Sequence, residues 1–169
     1  GSTEFVTTFG AELKEAYSLD MGVVHLTEAH LTSDPPTEGE LTALDSEIAL
    51  HLEELDGIIE RVDGTRFVGT AGTVTTLAAI AQELTEYDAT KINNYVLTLE
   101  VTKEIYSRLA ALTCSERLLI PALEEGREDL IIAGLAITIS AMKKFGFTTL
   151  TVSDAGLLEG IIIDNAASN

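Results

Sequence analysis

The pattern of apolar and polar residues along the chain predicts strands near both ends and helices between them. Residues 4–9 and 12–19 are predicted to be two strands joined by a turn at Gly10. A short helix is predicted for residues 22–31. The Ser-Asp-Pro-Pro sequence at residues 33–36 ends that helix, because proline cannot continue it. The chain is therefore predicted to begin as strand, strand and helix.

The strongest helix signal follows these prolines. Thr37 and Glu40 have the spacing of a capping box, in which each side chain bonds the backbone N–H of the other residue. Apolar residues then recur every three or four positions, which is typical of an amphipathic helix. They are Leu41, Leu44, Ile48, Leu52, Leu55 and Ile59. A helix that extends from the capping box to Ile59 is therefore predicted.

The second half of the chain alternates short strands with helices. Residues 128–145 are apolar almost all round, which predicts a buried helix with Glu128 in its first turn and Gly146 just after its end. The other predicted segments are a strand at 67–68, a helix at 74–84, an irregular stretch at 88–99, one or two amphipathic helices within 100–120, a strand at 148–152 and a closing helix at 157–163. This order predicts an α/β fold whose later strands pair in parallel through helical crossovers.

The amino-acid composition indicates which class of protein this is. The chain has 169 residues, of which 46% are hydrophobic and 22% are charged, as in a globular protein of one domain. No apolar run approaches the roughly 18 residues of a membrane span, so we expect no membrane partner. Cys114 is the single cysteine. It excludes an internal disulfide and favours a reducing, cytoplasmic location.

The chain is strongly acidic, with 28 acidic and 10 basic residues and a net charge of −18. No nucleic-acid partner is expected, because phosphate backbones are bound by clusters of Lys and Arg. If the ligand is nevertheless an anion, its countercharge must come from Mg²⁺, from helix N-termini or from another part of the protein.

The first candidate site is the tetrapeptide Gly1-Ser2-Thr3-Glu4 at the start of the chain. Hydroxyls and free backbone N–H groups can hold phosphate oxygens, and a glutamate can hold a hard cation or a water. However, Gly1 and Ser2 are also typical of a cloning remnant that precedes an ordinary strand. These four residues alone leave both interpretations open.

The second candidate site lies in residues 67–77, where a predicted strand leads through a glycine turn into a helix. Gly69 and Gly72 allow a ligand to approach the backbone closely, and free N–H groups at a helix start favour anions. Thr70 and Thr73 add hydroxyls. The spacing matches neither the P-loop nor the dinucleotide-binding fingerprint, so a phosphate site and a plain helix start both stay open here.

Together these segments resemble the exopolyphosphatase and guanosine-pentaphosphate phosphohydrolase family nearly from end to end. Gly1 to Glu4 looks like the tail of the family's Gly-Gly-Gly-Ser-Thr-Glu motif, and Gly69 to Thr73 is similar to its second glycine loop. Further matching strings are Ser18-Leu19, Gly22-Val23-Val24, Leu26-Thr27-Glu28, Ser33-Asp34-Pro35-Pro36, Ile120-Pro121, Gly126-Arg127, Ala133-Gly134, Val152-Ser153-Asp154, Gly156-Leu157 and Glu159-Gly160. The resemblance favours the phosphate-motif interpretation of Gly1 and Ser2 over the cloning-remnant interpretation.

The resemblance implies a ribonuclease-H-like fold of the actin-like ATPase superfamily, with a mixed sheet flanked by helices. Residues 1–169 would form its second, C-terminal domain, and the first domain would be absent. Gly1, Ser2 and Thr3 would hold phosphate, and Glu4 would be catalytic, either binding Mg²⁺ or orienting the attacking water. Gly69, Thr70, Gly72 and Thr73 would form the facing wall of the phosphate site.

The implied reaction is attack of water on the terminal phosphoryl group of inorganic polyphosphate or guanosine pentaphosphate. The full-length enzyme would be a homodimer, and this chain without the first domain is expected to be inactive. His25 and Leu158 stand where the family pattern has Arg, which removes positive charge near the expected polyanion. The alternatives are a phosphate- or nucleotide-binding module without turnover, and half of a kinase of the same superfamily.

Overall fold

The computed structural model describes residues 1–167, which form five strands and eight helices. In chain order these are β1 (Thr3–Phe9), β2 (Glu12–Leu19), α1 (Val23–His30), α2 (Glu38–Glu53), β3 (Val68–Gly69), α3 (Gly72–Ala81), α4 (Ala89–Ile92), β4 (Val96–Thr98), α5 (Leu99–Ala110), α6 (Cys114–Arg117), α7 (Ile131–Lys144), β5 (Thr149–Val152) and α8 (Leu157–Ala167). The strands form two sheets, and α7 contacts the elements around both of them.

The first sheet is the predicted hairpin. Strands β1 and β2 pair antiparallel, with Phe5 opposite Tyr17 and a register shift between Thr7 and Thr8. Gly10 makes the turn with a φ of +61°, a conformation that glycine adopts at no steric cost. One face of the hairpin is buried through Phe5, whereas Val6 on the other face is exposed. Burial of one face sets the register, because a slip by one residue would exchange the two faces.

The second sheet has the order β3-β5-β4 and is mixed. Strands β3 and β5 are parallel, with Val68 opposite Thr151, which confirms the predicted parallel pairing. Strand β4 pairs antiparallel with β5, and the prediction that this stretch is irregular was wrong. Three residues are too few to show an alternating pattern, so pairing with β5 is what makes Val96–Thr98 a strand.

Several predicted helices have different ends in the structure: the helix predicted at 74–84 is α3 (Gly72–Ala81), and the closing helix predicted at 157–163 extends to Ala167 as α8. Two further differences have a local cause. Helix α2 stops at Glu53 and does not extend to Ile59, because Gly57 turns the chain with a φ of +74°. Helix α7 begins at Ile131 rather than at residue 128, since the turn before it uses the Glu128 side chain to accept the N–H of Gly126. Its C-terminal end is as predicted, with Gly146 at a φ of +68°.

Helix α7 is buried on nearly every side and separates two hydrophobic clusters. Its residues Ile132 and Leu135 belong to the cluster formed with α3, α5 and the second sheet. Ala133 and Ala136 belong to the cluster formed with the hairpin, α1 and α2. Each large side chain buried in this way contributes about 1.5–3 kcal/mol. Within residues 1–167, no helix combines the length and apolarity needed to cross a lipid bilayer.

The turn between α1 and α2 is held by one carboxylate, that of Glu40. It accepts hydrogen bonds from the backbone N–H groups of Thr32, Ser33 and Thr37 at 2.7–2.9 Å, and from the hydroxyls of both threonines. Thr37 completes the predicted capping box by accepting the N–H of Glu40. These bonds, above all the one from the backbone of Thr37, hold the pKa of Glu40 far below its ordinary value.

We predict that Glu40→Gln lowers the thermal stability of the protein at neutral pH and removes part of its pH dependence. A carboxylate whose folded-state pKa is lowered stabilises the fold above its ordinary pKa, and that contribution is lost as the pH falls towards the folded-state value. The difference in Tm between wild type and variant should therefore shrink as the pH is lowered from about 7 to about 3.

Thermal unfolding followed by circular dichroism at a series of pH values measures this difference. Glu53→Gln is the matched control, because Glu53 lies exposed at the other end of the same helix. A Tm difference for Glu40→Gln that stays constant over the whole pH range would show that the charge of Glu40 does not stabilise the turn.

Candidate functional site

The first candidate segment lies against the N-terminal end of α1. Gly22, the residue before this helix, comes so close to Gly1 that a Cβ at Gly22 would lie 2.1 Å from the carbonyl oxygen of Gly1. Thr3 donates its hydroxyl proton to the carbonyl oxygen of Met21 at 2.5 Å. Two contacts across the start of α1 therefore fix the position of residues 1–3.

Glu4 presents an exposed carboxylate between two serine hydroxyls. Ser2 donates a hydrogen bond to its Oε1 atom, and Ser18, its cross-strand partner in the hairpin, donates another to the same atom at 3.3 Å. The Oε2 atom accepts no hydrogen bond from the residues that the structure describes. Ser18 was not among the predicted site residues, because the register of the hairpin is what brings it to Glu4.

The second candidate segment is a strained turn between β3 and α3. Ala71 has φ and ψ angles of 77° and 171°, a region that is essentially restricted to glycine and costs about 1–3 kcal/mol for other residues. Gly69 accepts the N–H of Ser153 at 2.8 Å, and the hydroxyl of Thr70 donates to the carbonyl oxygen of Ala155 at 3.0 Å. The loop after β5 therefore supports the strained turn.

The N-terminal end of α3 is not capped by a side chain. The first intrahelical bonds are donated by Val74 and Thr75, and the N–H groups of Gly72 and Thr73 have no acceptor within the described part of the chain. Free N–H groups at a helix start carry a partial positive charge and bind anions. This end of α3 therefore has the chemistry predicted for a phosphate site.

Arg127 covers this end of α3. Its guanidinium lies so close to Gly72 that a Cβ there would be 1.8 Å from the Nη1 atom. The side chain is 41% exposed, and its Nε atom pairs with Glu124 at 2.9 Å. In the sequence Arg127 is only part of a family motif, and no local signal assigns it to the site. Only the tertiary contact with Gly72 reveals its place.

Thr73 contacts α7 rather than open solvent. A Cβ at Gly134 of that helix would lie 2.5 Å from the Oγ1 atom of Thr73. The neighbouring residue, Ala133, belongs to the buried cluster that contains Met21, next to the first segment. Helix α7 therefore takes part in the packing beside both candidate segments, although no hydrogen bond among residues 1–167 joins one segment to the other.

A cavity of about 310 Å³ adjoins Arg127 and the start of α3. Among the residues that line it are Thr76, Tyr87, Ala122 and Glu124. Tyr87 donates a hydrogen bond to Asp154, and this bond raises the pKa of Tyr87 to about 12. The phenol is therefore protonated at neutral pH and connects the wall of the cavity to the loop after β5.

A magnesium ion was predicted at Glu4. Within residues 1–167, no group of three or more His, Cys, Asp or Glu side chains is placed to hold a metal. Mg²⁺ does not require such a group, because it is commonly bound by one or two carboxylates together with substrate phosphates and waters. The exposed Oε2 atom of Glu4 beside the serine hydroxyls fits this mode of binding.

Comparison with known proteins gives consistent results. The sequence pattern of the Ppx/GppA phosphatase family matches residues 1–169. Exopolyphosphatase 2 of Mycobacterium tuberculosis is 35% identical over 171 residues, which cover 98% of this chain and 53% of the relative. The crystal structure of the Aquifex aeolicus member of the Ppx/GppA family superposes with a TM-score of 0.92 at 34% identity and covers 99% of this chain and 54% of that one.

A third match is the crystal structure of an exopolyphosphatase from Cytophaga hutchinsonii, with a TM-score of 0.84 at 25% identity over 96% of this chain and 53% of that one. The structural matches confirm the expected actin-like ATPase fold. The chain spans about half the length of the relatives that it matches.

We predict that Gly134→Ala lowers the free energy of unfolding by about 1–3 kcal/mol, because the added methyl group collides with Thr73 in a close-packed region. The matched control is Gly39→Ala in α2, where a Cβ meets nothing within 4 Å and should stabilise the helix by about 1 kcal/mol. Urea denaturation of both variants measures the two signs. Equal effects would mean that α3 and α7 are not in close contact at this position.

Proposed function

The chain belongs to the Ppx/GppA phosphatase family, and on this premise we propose that it forms one wall of a phosphoanhydride hydrolase site. The proposed substrate is inorganic polyphosphate or guanosine pentaphosphate. Water attacks the terminal phosphorus and gives up a proton, the bond from that phosphorus to the bridging oxygen breaks, and the shortened polyphosphate or nucleotide leaves, so that the terminal group is released as inorganic phosphate. The name of the mycobacterial relative, an exopolyphosphatase, supports the first of these two substrates.

The observation that carries the proposal is the start of α3 beneath Arg127. Two free backbone N–H groups and a guanidinium converge there, and each of them favours a phosphate oxygen. The chain has a net charge of −18, so a polyanion would be repelled by most of its surface. At the uncapped start of α3, the positive charge of Arg127 locally attracts an anion. In the proposed site Gly69, Thr70, Gly72 and Thr73 line this wall.

Glu4 and its neighbours supply the second part of the proposed site. In this proposal Gly1, Ser2 and Thr3 hold the terminal phosphate, and the Ser2 hydroxyl exchanges its hydrogen bond to Glu4 for one to a phosphate oxygen. The hydroxyl of Ser18 then steadies the carboxylate of Glu4. Glu4 either helps to hold Mg²⁺ or orients the attacking water. When bound, Mg²⁺ would offset part of the negative charge on the phosphates. The residues of the chain contribute mainly by positioning, as in phosphoryl transfer generally.

We assign the remaining parts of the site to a first domain of the full-length protein. In this proposal the first domain faces the two segments, adds a general base and a further phosphate loop, and encloses the substrate. The full-length enzyme is a homodimer that acts in the cytoplasm. The coverage of about half of each relative supports a partner domain in those proteins.

The cavity beside Arg127 favours a substrate that carries more than phosphate. Its walls include the aromatic ring of Tyr87 and the apolar Pro121 and Ala122, and its volume of about 310 Å³ is within the range of small-molecule sites. Polyphosphate has no group that would gain from apolar walls. A guanine nucleotide could place its base there while its phosphates contact Arg127.

The main prediction concerns Glu4 and Arg127 in the full-length enzyme. Glu4→Gln should lower kcat for polyphosphate by about 10²–10³-fold, because the negative charge that holds the cation or the water is lost. Arg127→Gln should raise KM about tenfold through loss of a charge-assisted hydrogen bond to phosphate. Release of inorganic phosphate in the presence of Mg²⁺ measures both effects.

Arg108→Gln is the matched control for Arg127→Gln, because Arg108 lies exposed on α5. The 169-residue chain alone should release no phosphate. If the full-length protein binds polyphosphate tightly without releasing phosphate, the chain belongs to a binding module instead. Transfer of phosphate from ATP to a small acceptor would identify a kinase.

A second prediction separates the two substrates. Ala122→Leu fills part of the cavity and should raise KM for guanosine pentaphosphate several-fold, roughly the effect of one or two lost apolar contacts. KM for polyphosphate should be unchanged. Steady-state kinetics with both substrates, at equal Mg²⁺ concentration, test this. A parallel change for both substrates would show that the cavity does not hold a base.

A further inference from the structure

Arg117 is a buried cation that the proposed site does not use. It lies at the end of α6, is 2% exposed, and makes no ion pair among the described residues. Its Nε atom donates to the carbonyl oxygen of Leu109 at 2.9 Å, and its Nη1 atom donates to the carbonyl oxygen of Glu128 at 2.7 Å. The Nη2 atom has no hydrogen-bond partner in the described part of the chain.

Stability alone is a poor explanation for this arrangement. Removing a guanidinium from water costs free energy, which is recovered only when its donors are fully paired. Arg117 leaves its Nη2 atom without a hydrogen bond, and no carboxylate among residues 1–167 forms an ion pair with it. An apolar side chain of similar volume would avoid both costs. The role of the guanidinium therefore lies in the two carbonyl groups that it connects, those of Leu109 and Glu128.

One of those carbonyl groups adjoins Arg127. Residues 124–128 form a turn whose other hydrogen bonds are local: Arg127 donates its N–H to Glu124, Gly126 donates to the Glu128 side chain, and Ile131 donates to Arg127. Within residues 1–167, the bond from Arg117 to Glu128 is the only hydrogen bond that reaches this turn from another element outside α7. The bond therefore attaches the turn to the body of the protein.

The other carbonyl group provides a fixed reference point. Leu109 is fully buried in the last turn of α5, a helix that packs against α7 within the larger hydrophobic cluster. The carbonyl end of a helix also carries a partial negative charge, which favours a cation. The planar fork of Arg117 thus connects a rigid helix end to the residue that follows Arg127.

We propose that Arg117 is a positioning residue for Arg127. By holding the carbonyl group of Glu128, it sets where the Arg127 turn lies and hence where the Arg127 guanidinium meets the start of α3. The inference rests on the proposed function, in which Arg127 binds a substrate phosphate. Lysine cannot replace arginine here, because all its N–H donors lie on one nitrogen, whereas the two carbonyl groups are held by the separate Nε and Nη1 atoms of the guanidinium.

A double-mutant cycle in the full-length enzyme tests this inference. Arg117→Lys should raise KM for polyphosphate about tenfold and change kcat by less than about twofold, because phosphate binding is weakened while Glu4 is untouched. In an Arg127→Gln background, Arg117→Lys should have no further effect on KM, since it acts through Arg127. Arg108→Lys is the matched control, and far-UV circular dichroism verifies folding.

The outcomes are distinct. If the effects of Arg117→Lys and Arg127→Gln on KM multiply, Arg117 acts independently of Arg127 and the inference is overturned, although the proposed function stands. If Arg127→Gln itself leaves KM unchanged, the proposed phosphate site is wrong. Should Arg117→Lys fail to fold, Arg117→Gln replaces it in the same cycle. Failure of both variants to fold would assign Arg117 to stability and refute a positioning role.

Discussion

The arrangement of this protein depends on the packing of one buried helix, α7, between two hydrophobic clusters. Four large side chains enter the cluster around the second sheet, whereas three alanines and Ile137 face the hairpin, α1 and α2. Near its start, Gly134 leaves room for Thr73 of the second candidate segment, and the neighbouring Ala133 lies in the cluster around the hairpin. Any larger residue at Gly134 must displace Thr73. Close packing at this turn therefore determines where the start of α3 lies.

Electrostatics limits where on this acidic chain an anion can bind. The free N–H groups of Gly72 and Thr73 are neutral donors, and Arg127 brings a full positive charge to the same place. The Glu124 carboxylate orients that guanidinium, and the turn around it is attached to α5 through Arg117. The strained backbone at Ala71 also costs free energy, and a hydrogen bond from Thr70 to the loop after β5 holds it in place. Such costs are commonly concentrated at functional sites.

Sequence reasoning succeeded where the signal is local. The hairpin with its turn at Gly10, the capping box of Thr37 and Glu40, and the C-terminal glycine of α7 each follow from neighbouring residues. It failed at Val96–Thr98, because a three-residue strand has no pattern of its own and depends on β5. It also extended α2 to Ile59, since the apolar spacing continues beyond the turn that Gly57 imposes.

By itself, the sequence determined the elements, the α/β class, the family resemblance and the two glycine-containing segments, because these depend on residues close together along the chain. Only the tertiary structure decided which residues join those segments. Ser18 reaches Glu4 through strand pairing, Arg127 reaches Gly72 across the surface, and Arg117 reaches Glu128 through the interior. Contacts between residues far apart along the chain follow from packing, and packing has no local signature in the sequence.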